Sequence, residues 1–486
     1  MTTRKSMALN FIGGINMELS YHGSGAVELQ GKKRKCHLYL NDEDGGILLE
    51  IEVKEALPST LELPDQITEL KAELSNGAKF VLFDVFRSKE VSSNVSSRTS
   101  VFSFGAKYYV SGFRNLKKFQ NKFKSVFFEI SGVMRWGGKS AYLIGENYGI
   151  HNDSDSGTLI YEDDSVNIKY HVRGTSLPVH ESELLKDKIE LIQRTLIEVE
   201  FLNETSLDSF FNLFEKIKRL IELTLVNEII IHKIQGLSNF EFDVYDCEHR
   251  IPRTLDIISP IIRKDRFKGN YYGMYILKTF LLDDLLKNNS FKNYFDSYHK
   301  LKPVIELYME LLYTNGISSV RLFLNVVQAL ETYHARFKAG TMREFKDRVK
   351  TLTDGRTDGM ESFLLAKSKK FITLESRIAD LILAEYQVFF ITGDISMWEF
   401  PFIVANTRNY YIHYDESIKE SGKVLTEEQL TIYNNCLLII LDYYIYSELG
   451  FSDHQKLKEK LIQRWGDVRT TLSIKKAFED KYGKKQ

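Results

Sequence analysis

"TEEQLTIYNNCLLIILDYYIY", residues 426–446, decides the fold of the C-terminal half. Thr426 and Gln429 form a capping box, in which each side chain binds the other residue's backbone N–H at the start of a helix. Leu430, Tyr433, Leu437, Ile440 and Tyr444 then recur every three or four residues, the period of one helical face. The most apolar part, "CLLIILDYYIY" (436–446), is broken by Asp442 and too short to cross a bilayer, so a helix of a soluble bundle is expected.

Working outward, the same pattern continues. Ser452 to Gln455 opens a further helix with a second box. "LESRIADLILAEYQVFF" (374–390) repeats apolar residues at Leu374, Ile378, Leu381 and Phe389. "ISSVRLFLNVVQALETYHARF" (317–337) does so at Val320, Phe323, Val327 and Leu330. "TLTDGRTDGM" (351–360) between them reads as a loop. Before about residue 268 the period changes to two. Runs such as "VELQGKKRKCHLYLND", "GILLEIEV", "AKFVLFDVFR", "SVFFEISGVMRW" and "SVNIKYHVRG" are β-rich and bounded by turn residues. One helix joins them, with Phe210, Phe214, Ile217 and Ile221 spaced behind a cap at Ser206. The expected class is α+β: a strand-rich, sandwich- or barrel-like domain over residues 1–267, then an all-α region over 268–486.

At 486 residues the chain exceeds what one core serves, which agrees with two domains. Its net charge of −1 leaves nucleic-acid binding to local patches. The three cysteines, Cys36, Cys247 and Cys436, have neither disulfide nor zinc spacing, and the N-terminus lacks the apolar run of a signal peptide. A cytoplasmic protein is expected. No glycine-rich phosphate loop is present, so nucleotide hydrolysis is not expected.

The stretch with chemistry in it is "WEFPFIVANTRNYYIHYD" (398–415), read as a helix starting near Pro401 and fraying past His413. Asn409 and His413 are four apart and share a face, with Arg408 at its edge, while Phe402, Ile403, Ala405 and Ile412 are expected to pack. The bland reading is a solvated helix edge. The functional one is RNA cleavage. RNA brings its own nucleophile, the 2′-hydroxyl, so a metal-free site needs a histidine for proton transfer and an arginine to neutralise the phosphorane.

An Arg-Asn-x-x-x-His motif, here Arg408, Asn409 and His413, late in a C-terminal helical bundle resembles the HEPN superfamily, whose signature is an arginine followed four to six residues later by a histidine. The upstream "QALETYHARF" and the strand-rich first half are similar to the ApeA-like anti-phage defence proteins. The resemblance implies a HEPN bundle over about 315–470 and an N-terminal sensing or regulatory domain. It further implies a homodimer whose paired motifs cut RNA, with transfer RNA one candidate, without cofactor or metal. The implied product is a 2′,3′-cyclic phosphate, the implied partners are RNA and a phage-derived trigger, and no membrane is involved. The superfamily also holds non-catalytic modules, so a bundle that only dimerises or binds a partner is the alternative. Members silenced by tyrosine modification carry that tyrosine two residues after the histidine. Here Tyr414 follows at once and Asp415 takes that place, so this regulation is not carried over.

Other candidates are weaker. Glu331 and His334, three apart, share a helix face and could buttress the site or position RNA, with ion pairs to Arg336 or Arg321 as the structural alternative. "FRNLKKFQNKFK" (113–124) sets Arg114, Lys117, Lys118, Lys122 and Lys124 among Phe113, Phe119 and Phe123, a mix of cations and rings suited to single-stranded RNA. "GKKRK" (31–35) is a second basic cluster. Both also suit solvated faces. Cys247, Glu248 and His249 are adjacent rather than spaced for one metal.

Overall fold

The computed structural model describes residues 21–41, 46–54, 63–94, 99–144, 150–152, 157–174, 191–244, 250–262, 279–314, 316–357, 359–365, 368–389, 399–420 and 423–465. The chain divides into two compact units. One comprises residues 1–134, 139–216 and 229–270, the other 135–138, 217–228 and 271–486.

The first unit is built on a 12-stranded antiparallel sheet. Its strands are β1 (Tyr21–Leu29), β2 (Lys32–Asn41), β3 (Gly46–Val53), β4 (Gln66–Leu74), β5 (Lys79–Asn94), β6 (Thr99–Ser111), β7 (Phe123–Ile130), β10 (Thr158–Glu162), β11 (Val166–Gly174), β12 (Gln193–Thr205), β13 (Ile231–Val244) and β14 (Arg250–Ile258); β8 (Tyr142–Ile144) and β9 (Ile150–Asn152) form a separate ribbon. Strands β6-β3-β2-β1-β4-β5 close on themselves, because β5 pairs with β6 as well as β4. The result is a six-stranded barrel filled by alternate residues such as Leu38, Leu49, Ile51, Leu82, Phe102 and Phe104. Closure needs a close approach at Gly25, where a Cβ would lie 2.3 Å from the Glu73 carbonyl oxygen. Along one edge of β6 the first half pairs with β3 and the last three residues with β14, so the barrel opens into the second sheet segment, β14-β13-β7-β12-β11-β10. Helix α1 (Leu207–Leu225) begins in this unit and lays Phe214 flat on Phe128, with ring centroids 3.8 Å apart. The run expected to stay extended through Trp136 instead ends in a helical turn, Met134–Gly137.

The second unit is helical: α2 (Leu282–Lys287), α3 (Ser290–Tyr313), α4 (Ser319–Tyr333), α5 (Met342–Thr353), α6 (Met360–Leu365), α7 (Leu374–Phe389), α8 (Phe400–His413), α9 (Glu416–Glu420), α10 (Glu427–Glu448) and α11 (His454–Trp465). The Thr426–Gln429 capping box is present. Helix α10 buries far more than the expected stripe: Leu438, Ile439, Leu441, Tyr443 and Ile445 are buried along with Leu437, Ile440 and Tyr444, as befits a helix enclosed on all sides. Asp442, the break in the apolar run, anchors it. The Asp442 carboxylate accepts from Arg464 at 3.0 Å and from the Trp465 indole at 2.7 Å, while Arg464 also donates to the carbonyls of Leu223 and Thr224 at the end of α1. Burial pushes the Asp442 carboxyl up and the Arg464 charge pulls it back, with burial prevailing. The cap of α11 falls one residue later than expected, since Asp453 rather than Ser452 accepts from the Lys456 N–H at 3.1 Å.

Candidate active site

Helix α8 carries the Arg-Asn-x-x-x-His motif. Pro401 sits in its first turn, where a missing N–H costs nothing, and Tyr414, at φ 51°, ends it in the left-handed region. One side is fixed to the bundle by buried Phe400, Ile403, Val404, Thr407 and Tyr410. Thr407 Oγ1 accepts from the Leu425 N–H, and the Tyr411 hydroxyl donates to the Leu425 carbonyl, both at 3.1 Å. Two residues four apart thus clamp the segment that leads into α10, and the Phe400 ring stacks on Tyr433.

The opposite side holds the motif. At about 100° per residue, Arg408, Ile412, Asn409 and His413 follow one another around the helix surface. Arg408 and Asn409 are half-buried and His413 is exposed. The Arg408 Nη1 donates to Asn409 Oδ1 at 3.2 Å, which fixes the plane of the guanidinium beside the histidine face. Ile412 corrects an expectation: it is 44% exposed, in the middle of the polar face rather than in the core, because the core side is already filled. Tyr414 is 64% exposed, with its ring edge-on to Tyr410 and Tyr411. Asp415 caps α9: it accepts from the Ser417 hydroxyl and N–H, which together with nearby His413 hold its carboxyl below the usual range.

Glu331 and His334 fall differently. His334 is fully buried at the start of a π-helical turn, His334–Lys338, and cannot touch a nucleic acid. Its Nδ1 accepts from Arg377 Nη1 at 2.8 Å and its Nε2 lies 2.7 Å from Asp380 Oδ2. Because arginine only donates, Nδ1 is the acceptor and Nε2 carries the proton, giving a neutral imidazole in one tautomer. Burial agrees, holding its pKa below the ordinary value against the pull of Asp380. Asp380 also receives Arg348 Nε at 3.1 and 2.7 Å, and Arg377 Nη1 reaches the Ala339 carbonyl exposed by the π turn. Half-buried Glu331 acts on Arg377 electrostatically. The anticipated ion pairs are not formed with these residues: Arg336 donates to the His299 carbonyl and Arg321 to Glu310. Sequence reading missed Arg348, Arg377 and Asp380. The signal was Asp380, a charge on the apolar side of "LESRIADLIL".

The basic stretch 113–124 is also corrected. Phe113, Phe119 and Phe123 are buried, and Phe119 packs on Phe83, Phe113 and Phe240, so none offers a face to a base. Arg114, Lys117 and Lys122 are exposed; Lys124 is half-buried and lies 3.8 Å from Glu200; the Lys118 side chain lies outside the described residues. Cys247, Glu248 and His249 lie outside them too. Cys36 and Cys436 are buried thiols, which burial pushes up to about 11 and about 12. Among the described residues no group of three or more His, Cys, Asp or Glu side chains comes together, and no helix is long and apolar enough to cross a membrane.

A strand-rich unit with a closed barrel, followed by a helical unit whose late helix bears Arg-Asn-x-x-x-His, defines a two-part protein of the HEPN class. The profile described as Apea-like HEPN matches residues 324–455, and that described as ApeA N-terminal domain 1 matches residues 21–271. The chain therefore belongs to the ApeA-like family, anti-phage defence proteins with a C-terminal HEPN domain. No curated protein and no solved structure matches it significantly.

Proposed function

We propose that the protein is a metal-independent endoribonuclease of phage defence, acting in the cytoplasm as a homodimer and stopping phage growth by abortive infection. The observation that carries this reading is the helix α8 surface, where Arg408, Asn409 and His413 stand together on the side turned away from the core, with the guanidinium held by Asn409. In the reaction, the substrate 2′-oxygen attacks the adjacent phosphorus as its proton leaves, and the 5′-oxygen departs with a proton. His413 serves one of these transfers and the second subunit's copy of the motif serves the other. Arg408 neutralises the charge gathering on the non-bridging oxygens, and Asn409 keeps its plane aligned. The exposed Ile412 and Tyr414 beside the motif support pairing with a second copy, since an apolar patch at a polar site gains from being covered.

The test is cleavage of RNA by the purified protein in excess EDTA, beside a matched strand lacking the 2′-hydroxyl at the scissile position. Cutting of the first only, with a cyclic phosphate on the 5′ fragment, is expected. Loss of cutting with chelator, or equal cutting of the deoxy strand, refutes the mechanism. No cutting by a folded dimer, with binding of a partner intact, would favour the module reading instead.

A further inference from the structure

The "GKKRK" cluster is not one patch. Strand β2 alternates, so Lys33, Lys35, His37 and Tyr39 face outward while Arg34, Cys36, Leu38 and Leu40 face the barrel interior. The outward charges have carboxylates close by: Lys35 Nζ is 2.9 Å from Glu52, and Lys33 stands across from Glu28 in the pairing of β1 with β2. Arg34 has none. It is only 8% exposed, its partner in register is Val27, and its Nε has no hydrogen-bond partner. Among the described residues no carboxylate pairs with it. A guanidinium nitrogen taken out of water without a partner is unfavourable.

The position explains what could compensate. Arg34 lies on the inward face two residues from the β1–β2 hairpin, whose turn residues Gln30 and Gly31 both have positive φ (55° and 71°), and so sits near the mouth of the barrel at that end. A second cation reaches the same end. Phe102 pairs with Ile51 and Ile51 with Cys36, which places the Phe102 ring at Arg34's end of the interior, and the Arg87 guanidinium lies 5.0 Å above that ring. Arg87 is only loosely matched by Asp65, at 3.4 Å and largely exposed.

We propose that this mouth of the barrel binds a phosphate-bearing ligand, gripped by the inward-facing Arg34 with Arg87 beside it. A phosphate monoester supplies two negative charges and oxygens spaced for a guanidinium fork, which a single carboxylate does not. The same chemistry could come from a free nucleotide or from the 5′ end of a nucleic acid. The site is independent of helix α8.

The full chain is titrated with inorganic phosphate, AMP, adenosine, and a short 2′-deoxy oligonucleotide with and without a 5′ phosphate, reading melting temperature and calorimetric binding. Phosphate and AMP raise the melting temperature and adenosine does not. A response to AMP assigns the ligand to free nucleotides, and one confined to the 5′-phosphorylated strand assigns it to nucleic-acid ends. Arg34→Met, which keeps length and packing, weakens binding on the order of a hundredfold and leaves the ligand-free protein at least as stable. Arg34→Lys keeps the charge without the fork, binds with intermediate strength, and carries the comparison if the methionine variant fails to fold. No phosphate response in the wild type, an equal response in wild type and variants, or a large loss of ligand-free stability in both variants overturns the proposal.

Discussion

Asp380→Asn should cost the helical unit about 3–5 kcal/mol, the usual penalty for breaking a buried ionic cluster by removing one partner. The figure can be built from the contacts. Asp380 is fully buried and accepts from Arg348 Nε on both oxygens and from His334 Nε2 on one. Asparagine is isosteric but neutral, and one of its two terminal atoms becomes a donor. Whichever way it turns, that donor meets another donor, either the His334 N–H or the Arg348 N–H. One charge-assisted bond worth about 1.5–3 kcal/mol is lost, and a buried donor is left unsatisfied at a further 1–3 kcal/mol or so. For a unit of this size the melting temperature should fall by roughly 10 °C, followed by circular dichroism or differential scanning fluorimetry. A fall within about 2 °C of zero would mean that the cluster is not closed as described, since in either rotamer the asparagine NH2 faces an N–H of Arg348 or His334 and the buried negative charge is gone.

The same cluster makes stability depend on pH. The pKa of His334 is depressed in the fold, so below about pH 6.5 the unfolded chain binds a proton that the folded one refuses. Stability present above that pH is lost as pH falls, by up to about 1.4 kcal/mol per unit, and the depressed carboxyl of Asp380 adds a loss of the same sign at lower pH. Urea melts of His334→Gln should show a flatter dependence between roughly pH 5 and 6.5 than the wild type. Arg408→Ala and His413→Ala should each abolish RNA cleavage and phage protection with a melting temperature close to wild type, because neither side chain holds the core; full activity in both folded variants would remove the motif from catalysis. Ile412→Lys places a charge in the proposed pairing surface and should raise the dimer dissociation constant at least about tenfold in analytical ultracentrifugation, while an unchanged constant would move the interface elsewhere.

What could be read from the sequence was what is local. The capping box at Thr426 and the face shared by Asn409 and His413 depend on residues three and four apart, and both are found in the structure. Barrel closure was not readable in detail, because β6 meets β3, β5 and β14 across as many as about 150 residues of chain and nothing in a single strand names its partner. Neither was the fate of Phe113, Phe119 and Phe123, since a phenylalanine beside lysines looks alike on a surface and under one. Three charges nevertheless stood out of pattern, each on the apolar period of its own element: Asp442 in α10, Asp380 in α7 and Arg34 in β2. A charge carried on a core face must be compensated or it unfolds the core. Asp442 is compensated by Arg464 from α11, and Asp380 by Arg348 and His334. Arg34 alone of the three has no counter-charge among the described residues. By the rule that accounts for the other two, an anion from beyond the described residues would compensate it, and the proposed phosphate site at the barrel mouth rests on the same physics that makes the other two clusters part of the fold.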